Sequence, residues 1–353
     1  MSRVTGEQVS RAEVLAYRAA AHDLEQSAAS PATCGVLDVG VQDTPAGTTA
    51  HPALAARSMS TDDEGPTLRR GLVLVHSLRG AMHVHRSCDL GLLATALRPD
   101  DAADGDATDR VAQAMVEVMA DDRSRSKGEL STQITPLVPE RLRAWCTVCD
   151  VQHVPDGWFR AATQPAGLRL RASANRSANF YRAAPPDPVE SAPARRELVR
   201  RFLRRCGPAV AADLAAWTGT APPAARKWWN LLADELVEVR VDGKRLWMHT
   251  EDLAAARDMA TPTTVRLLPP YDPLAEVAHR ELLLPDPAAR RQVWRAVANP
   301  GLALMAGELA GTWRRRKQII TLAPFTPLSR KEQQAIRDEA MRTMTDFEMA
   351  FDH

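Results

Sequence analysis

The sequence predicts an α+β fold of tandem winged-helix units, each a helix-turn-helix with a β-wing, followed by a small C-terminal β-barrel and a terminal helix. The clearest unit lies at 194–248, where a basic amphipathic helix ends at Gly207-Pro208 and two shorter helices follow. Two strand-like runs come next, joined by Asp242-Gly243, a pair that suits a tight primed turn. This order of elements is typical of a winged helix, a module that most often binds DNA.

Two earlier segments predict further units of this kind, although their residues are not visibly similar to those of the clearest one. The first contains a helix, a short second helix, a polar linker, two strands and a closing helix, at 11–26, 52–58, 61–66, 72–75, 82–85 and 89–97. The second contains a helix from Asp109 and a capping box at Ser126–Glu129 for the next helix. A third helix is expected at 139–148, and a wing at 158–162 and 168–171.

The C-terminal part changes character to short strands separated by Pro and Gly, which predicts a small barrel. The strands are expected at 265–268, 281–284, 302–305, 308–313 and 318–322, with a final helix at 329–349. Four domains follow from these patterns: three winged-helix-like units at 1–105, 106–184 and 194–260, and a barrel with its helix at 261–353.

Composition sets further bounds. The net charge of +1 conceals basic runs at Arg195–Arg205 and Arg314–Lys317, and local fields rather than totals decide phosphate binding. No apolar run approaches the length of a membrane span, and residues 1–22 carry too many charges for a secretory signal, so the protein is expected in the cytoplasm. Five unevenly spaced cysteines argue against a disulfide framework.

Four strings in order along the chain carry a resemblance to a known family. They are Leu78–His83 (LRGAMH), Arg266–Leu274 (RLLPPYDPL), Arg280–Pro285 (RELLLP) and Gly307–Lys317 (GELAGTWRRRK). The chain resembles the winged-helix DNA-binding family that includes bacterial crosslink-repair DNA glycosylases. The resemblance implies tandem winged helices plus a small β-barrel around a basic concave groove, and, in the members that are enzymes, excision of N-alkylated or crosslinked purines.

The same resemblance implies a catalytic signature of Gln-apolar-Gln or Gln-apolar-Asp, which is incomplete here. The best match is Gly40-Val41-Gln42, so the first glutamine is replaced by a glycine. A cationic alkylpurine is already a good leaving group, so the reaction needs chiefly a positioned water and a negative group facing the sugar. We expect Gln42 to orient the water and Asp43 to supply the charge. The alternative is that Asp43 caps a turn or a helix.

Candidate DNA-binding residues follow from the predicted wings, recognition helix and basic run. Strand alternation at 314–317 sends neighbouring side chains to opposite faces, so at least one pair reaches solvent or phosphate. Surface solubility is the alternative for each. The predicted DNA-binding residues are Arg79, His83, Arg226, Lys227, Lys244, Arg245, Arg314, Arg315, Arg316 and Lys317.

Two groups of residues allow a metal hypothesis. Cys146-x-x-Cys149 and His153 have the ligand types of a zinc site, but no fourth ligand stands nearby and the two cysteines are expected to pack on a helix. The strand histidines His83 and His85 should share a face, as buried strand residues or as DNA donors. We therefore expect no metal.

The function expected from the sequence is that of a winged-helix DNA-binding protein resembling alkylpurine DNA glycosylases. Whether it is an enzyme stays open because of Gly40. The alternatives are a non-catalytic or transcription-regulatory DNA-binding relative and a winged-helix protein-interaction module. No Walker loop or dinucleotide turn occurs, so we expect double-stranded DNA as the partner, with no nucleotide cofactor, no membrane and a monomeric chain.

Overall fold

The computed structural model describes residues 6–59, 71–276, 279–344 and 346–352. It is a mixed α+β fold, as predicted. The helices are α1 (Arg11–Ala21), α2 (Ala50–Ala55), α3 (Leu90–Ala96), α4 (Ala102–Val118), α5 (Lys127–Ile134), α6 (Asp156–Ala162), α7 (Ser191–Cys206), α8 (Ala211–Thr218), α9 (Pro222–Asn230), α10 (Asp252–Asp258), α11 (Arg280–Leu283), α12 (Pro287–Val293) and α13 (Arg330–Thr343). Among these described helices, none has both the length and the apolar character to span a bilayer.

The strands form three sheets and one separate hairpin. They are β1 (Glu7–Gln8), β2 (Val41–Gln42), β3 (Leu72–His76), β4 (Met82–Arg86), β5 (Arg125–Ser126), β6 (Ala144–Cys146), β7 (Val151–His153), β8 (Leu168–Ala172), β9 (Ala178–Arg182), β10 (Leu236–Val241), β11 (Lys244–His249), β12 (Val265–Leu268), β13 (Gly301–Met305), β14 (Glu308–Arg316), β15 (Ile319–Pro324) and β16 (Glu348–Phe351).

The largest sheet has the order β2-β4-β3-β8-β9-β5, and it joins strands from the first two predicted units. The join is a bridge between Leu74 on β3 and Leu170 on β8. Both of these leucines are buried, together with Val84 and Phe180 on neighbouring strands. One hydrophobic cluster therefore includes described residues of both predicted units, and the predicted boundary near residue 105 stays a prediction.

The elements predicted at 194–248 are all present. Helix α7 buries the apolar face that the sequence indicated (Leu198, Val199, Phe202, Leu203 and Cys206), and β10 and β11 form a hairpin. The N-terminal strand β1 extends this sheet by pairing in parallel with β10. Helix α1 is attached to the same region, because the buried Arg18 donates to the carbonyls of Gly207 and Pro208. The winged-helix arrangement itself stays a prediction.

The C-terminal strands form an open sheet and not a closed barrel, so that prediction is wrong. The order is β12-β13-β14-β15-β16, with β12 and β16 at opposite edges. One strand expected in the barrel, at 281–284, is the helix α11. Helix α13 packs on this sheet with Ile336 and Ala340 against Trp313. Helix α13 covers the sheet face that would form the interior of a closed barrel.

Other local predictions also need correction. The segment 139–148, predicted as a helix, is a short 3-10 turn followed by β6, and 158–162, predicted as a strand, belongs to α6. Helix α6 begins directly after Pro155, whose fixed φ suits the position before a helix. The terminal helix ends at Thr343 and β16 follows, while the first helix ends at Ala21. The predicted linker at 61–66 lies outside the described residues.

A fully buried ion pair connects the N-terminal sheet region to the C-terminal part. Two Arg57 nitrogens donate to the Asp272 carboxylate over 2.8 and 2.6 Å, and both side chains are 0% exposed. Arg57 also donates to the carbonyl of Ala53 on α2, and Asp272 accepts from the amide of Leu274. Asp272 belongs to the string RLLPPYDPL. Its contacts with Arg57 and Leu274 indicate a structural role for this residue of the string.

Removing one member of this pair should destabilise the protein strongly. Asp272→Asn leaves a buried guanidinium without its counter-ion, and we expect the free energy of unfolding to fall by about 3–5 kcal/mol. Urea denaturation measures this. The matched control is Asp106→Asn, which breaks the exposed pairs of Asp106 with Arg110 and Arg141 and should cost under about 1 kcal/mol. Equal effects of the two substitutions would contradict a structural role for the buried pair.

Candidate active site and nucleic-acid interface

Gln42 lies at the end of strand β2 and lines an open pocket. Its main chain pairs with His83 on β4. Its side chain is fixed at both ends, because Oε1 accepts from Arg79 over 3.2 Å and Nε2 donates to Thr44 Oγ1 over 3.3 Å. Oε1 retains a lone pair, since a carbonyl oxygen accepts two hydrogen bonds. A water at that oxygen would be oriented with one O–H toward Gln42.

Arg79 is the central cation of the pocket. It lies in the tight turn between β3 and β4 with φ of 53°, a left-handed conformation. Its guanidinium donates to the Trp217 carbonyl over 2.8 Å and to Glu276 Oε2 over 3.1 Å, in addition to Gln42. Because its donors are aimed at protein acceptors, Arg79 arranges the site and is only partly available to a phosphate.

Two pockets share residues of this cluster in their linings. The open pocket has a volume of about 440 Å³, and its polar and aromatic lining includes Gln42, Arg79, Tyr271, Glu276, Arg280, Trp294 and Arg295. Behind it lies a cavity of about 10 Å³ lined by Gly40, Gln42, His83 and Glu276 among others, with room for roughly one water molecule. Gln42 and Glu276 therefore border both spaces.

Asp43 makes the capping interactions that were the alternative to a catalytic role. Its carboxylate accepts from the backbone amides of Gly47, Thr48, Thr49 and Ala50 at 2.5–3.1 Å. These amides include the first residue of α2, whose N–H groups have no partner within the helix. Asp43 is 4% exposed, so it fixes the loop directly after Gln42.

Gly40, the first residue of the Gly40-Val41-Gln42 string, has no room for a side chain, and the structure shows what occupies the space. The residue has φ of +76°, and a Cβ there would overlap the ring of His85. The His85 ring is buried and its Nε2 is 3.0 Å from Ser77 Oγ. His85 therefore fills the position of a side chain at residue 40.

The strand histidines are neutral because burial penalises their charged form. Burial, with Arg160 next, lowers the pKa of His76 to about 3, and burial lowers the pKa of His85 to about 4. Burial and then His85 and Arg79 hold the pKa of His83 well below its usual range. His83 donates its Nδ1–H to the Ala81 carbonyl over 3.1 Å, and its side chain lines the small cavity.

The predicted DNA-binding residues are placed in different ways. Arg226 and Lys227 are exposed on α9 and have no side-chain partner among the described residues. On the hairpin, Lys244 pairs with Glu281, and Arg245 pairs with Glu238 while covering the Trp247 ring. To bind DNA, Lys244 and Arg245 would each have to replace their carboxylate partner with a phosphate.

The basic run at the end of β14 is fully exposed. Arg314 donates to the Ala298 carbonyl, and Arg315 donates to the carbonyls of Lys317 and Asp346. Arg316 and Lys317 have no side-chain partner among the described residues. Of the four, Arg314 lines a depression of about 460 Å³, which it shares with Arg291 and Arg295.

Sequence reasoning missed the residues that connect these features. Arg295 lines both the open pocket and the Arg314 depression, and Arg280 lies over the Trp294 ring at the pocket wall. Glu276 was missed as well, since a single carboxylate in a turn carries no pattern. The available signal was the cluster of Arg290, Arg291 and Arg295, which follows the string RELLLP closely. The first two lie on the short helix α12, and Arg295 lies in the loop after it.

A second, larger depression lies on the other side of Arg79. It has a volume of about 690 Å³ and mixed charge, with Arg79, Arg98 and Arg160 beside Asp100, Asp101, Asp104 and Asp156. Trp228 of α9 forms part of its wall. The mixed lining distinguishes it from the cationic side near Arg295 and Arg314.

The cysteine motif lies on the hairpin β6–β7 and not on a helix, so that placement was wrong. The ligand atoms of Cys146, Cys149 and His153 all lie within 4.8 Å of one another. Hydrogen bonds from the Cys149 amide and then from His153 lower the pKa of Cys146 to about 7. All five cysteines of the chain are free thiols.

Comparison with known proteins decides the family. Residues 36–345 match the family described as "DNA glycosylase AlkZ-like". The chain belongs to this AlkZ-like DNA glycosylase family. An interstrand DNA cross-link repair glycosylase of Streptomyces sahachiroi is 30% identical over 164 residues, which are 44% of this chain and 42% of that relative. The chain thus aligns with less than half of the length of this relative.

The fold of the chain is also shared with a solved structure. The Streptomyces sahachiroi DNA glycosylase AlkZ superimposes with a TM-score of 0.75 and 22% identity, covering 98% of this chain and 100% of that one. At this identity the likeness concerns the fold alone. The family membership agrees with the resemblance carried by the four sequence strings, whereas the tandem winged helices that the resemblance implied stay a prediction.

The neutral histidines should make stability depend on pH. In the unfolded chain a histidine takes up a proton near pH 6.5, whereas His76 and His85 in the folded protein stay neutral down to about 3 and 4. The unfolded state then binds more protons, so stability falls as the pH is lowered through this window. We expect a loss of about 2 kcal/mol per histidine between pH 7 and pH 5, measured by urea denaturation. His76→Gln should reduce the fall, and His51→Gln, at an exposed site, should not.

Proposed function

We propose that the protein binds duplex DNA across the face that carries Gln42, Arg295 and Arg314, and hydrolyses the N-glycosidic bond of cationic N-alkylated purines. The proposal is supported by membership of the AlkZ-like DNA glycosylase family. It is supported above all by one observation: a glutamine amide and a carboxylate both accept from the same Arg79 nitrogen, and both line an open pocket beside exposed arginines.

The chemistry assigned to this pocket needs little acid catalysis. An alkylated purine carries positive charge and leaves readily, so the transition state concentrates positive charge on the sugar. Gln42 Oε1 would accept a hydrogen bond from the attacking water. Glu276 would supply the negative charge opposite the sugar, a role that the sequence suggested for Asp43.

Arg79 would keep both groups in place. Its guanidinium contacts Gln42 Oε1 and Glu276 Oε2 at 3.2 and 3.1 Å, and these bonds restrict the rotamers of both side chains. Preorganised dipoles of this kind are effective because they need no reorientation during the reaction. Asp43 would contribute through the loop that it caps.

The first test is excision from duplex DNA that contains N7-methylguanine. Gln42→Ala and Glu276→Gln should each lower the single-turnover rate of abasic-site formation by about 100-fold, because each removes a group that acts only on the transition state. DNA affinity should change little. Gln334→Ala, on the exposed face of α13, is the matched control.

The results separate two interpretations. Loss of excision with intact binding supports the assignment of both groups. Wild-type protein that binds duplex DNA but releases no base above background would overturn the enzymatic proposal. It would favour the second candidate, a non-catalytic DNA-binding relative, for which Gly40 and the His85 ring in its place are the supporting observation.

DNA binding itself should depend on salt through the exposed arginines. Arg295→Ala and Arg314→Ala should each weaken binding to any duplex sequence and reduce the slope of log affinity against log salt concentration by about 1. Fluorescence anisotropy at several salt concentrations measures both. Lys331→Ala, an exposed cation on α13, should leave the slope unchanged. An affinity that does not respond to salt would point instead to a protein-interaction module.

A further inference from the structure

The hairpin β6–β7 brings three soft ligands together at a place unrelated to the Gln42 pocket. Cys146 ends β6, Cys149 lies in the turn, and His153 ends β7. Their Sγ and imidazole nitrogen atoms lie within 4.8 Å of one another, a separation that a single ion can bridge. The amides of Cys149 and Val148 are directed at Cys146 Sγ, which fixes its position in the turn.

The histidine is held in the tautomer that a metal requires. His153 Nδ1 lies 2.8 Å from the Val154 carbonyl oxygen, so Nδ1–H donates to it. The Nε2 lone pair is then left for the side of the ring that faces Cys146. Metal-binding histidines usually donate their second ring nitrogen to a carbonyl or carboxylate in this way.

The hairpin itself buries little apolar surface. Each strand has three residues, and an isolated two-stranded hairpin of this kind is marginal in water. Its large apolar side chains do not form a core, since Trp145, Val148 and Val151 are 60%, 92% and 50% exposed. A cross-link between the two strands would stabilise the hairpin.

We propose that Cys146, Cys149 and His153 bind a zinc ion whose fourth ligand is a water molecule. Two thiolates and an imidazole select zinc over magnesium or calcium, which prefer oxygen ligands. Binding releases the thiol protons, and the two thiolates balance the charge of the ion. The fourth ligand is water because Cys149 is exposed and the cluster within 4.8 Å has three protein ligands among the described residues.

The test uses the reduced full-length protein, stripped of metal and titrated with Co²⁺ and then Zn²⁺. We expect one ion per chain, with thiolate-to-cobalt charge-transfer absorption that zinc abolishes. Cys149→Ser and His153→Asn should weaken zinc binding by about tenfold or more. Cys88→Ser removes an exposed cysteine outside the cluster and should bind zinc as the wild type does.

A second measurement covers variants that fail to fold. In the wild-type protein, zinc should slow alkylation of Cys146 and Cys149, followed by peptide mass spectrometry, and should leave Cys88 unaffected. Equal protection of all three cysteines, or no cobalt absorption from reduced protein, would overturn the proposal. So would a Cys146–Cys149 disulfide whose reduced form takes up no zinc.

Discussion

The buried Arg57–Asp272 ion pair is the interaction on which the geometry of the site depends. Arg57 follows α2, which begins in the loop capped by Asp43, and Asp272 adjoins Tyr271 in the turn that leads to Glu276. Two segments separated by more than two hundred residues are thereby fixed against each other. A charge pair in this setting is costly to break, since either partner left alone would be an uncompensated buried charge.

The pocket combines groups with two different functions. Arg79 and Asp43 use their charges on protein atoms, the first on Gln42 and Glu276 and the second on backbone amides. Arg291 and Arg295 have no side-chain partner among the described residues and are exposed. The cations that hold the site together are thus distinct from those that are available to a phosphate backbone.

The packing around Gly40 requires a residue without a side chain. A residue with a side chain would be strained at this positive φ and would overlap His85. His85 in turn is neutral, buried and bonded to Ser77, so the packing involves all three positions. The polar side chains that line both pockets are those of Gln42, Arg79, Tyr271 and Glu276.

Local sequence patterns determined the elements whose signals are local. The apolar face of α7, the capping box at Ser126, the Asp242-Gly243 hairpin and the family strings all depend on residues a few positions apart. The sequence also pointed to Gln42 and Arg79, whose functional roles stay predictions, and to the capping alternative for Asp43, which the structure shows. It failed at 139–148 and 281–284, where short apolar runs are compatible with either helix or strand and tertiary contacts decide.

Only the tertiary structure decided which distant residues meet. The open C-terminal sheet, the neighbours of Gln42, the buried partner of Asp272 and the convergence of Cys146, Cys149 and His153 each join positions whose proximity has no periodic signature. Contacts of this kind are selected by global packing and by the requirement that buried polar groups find partners.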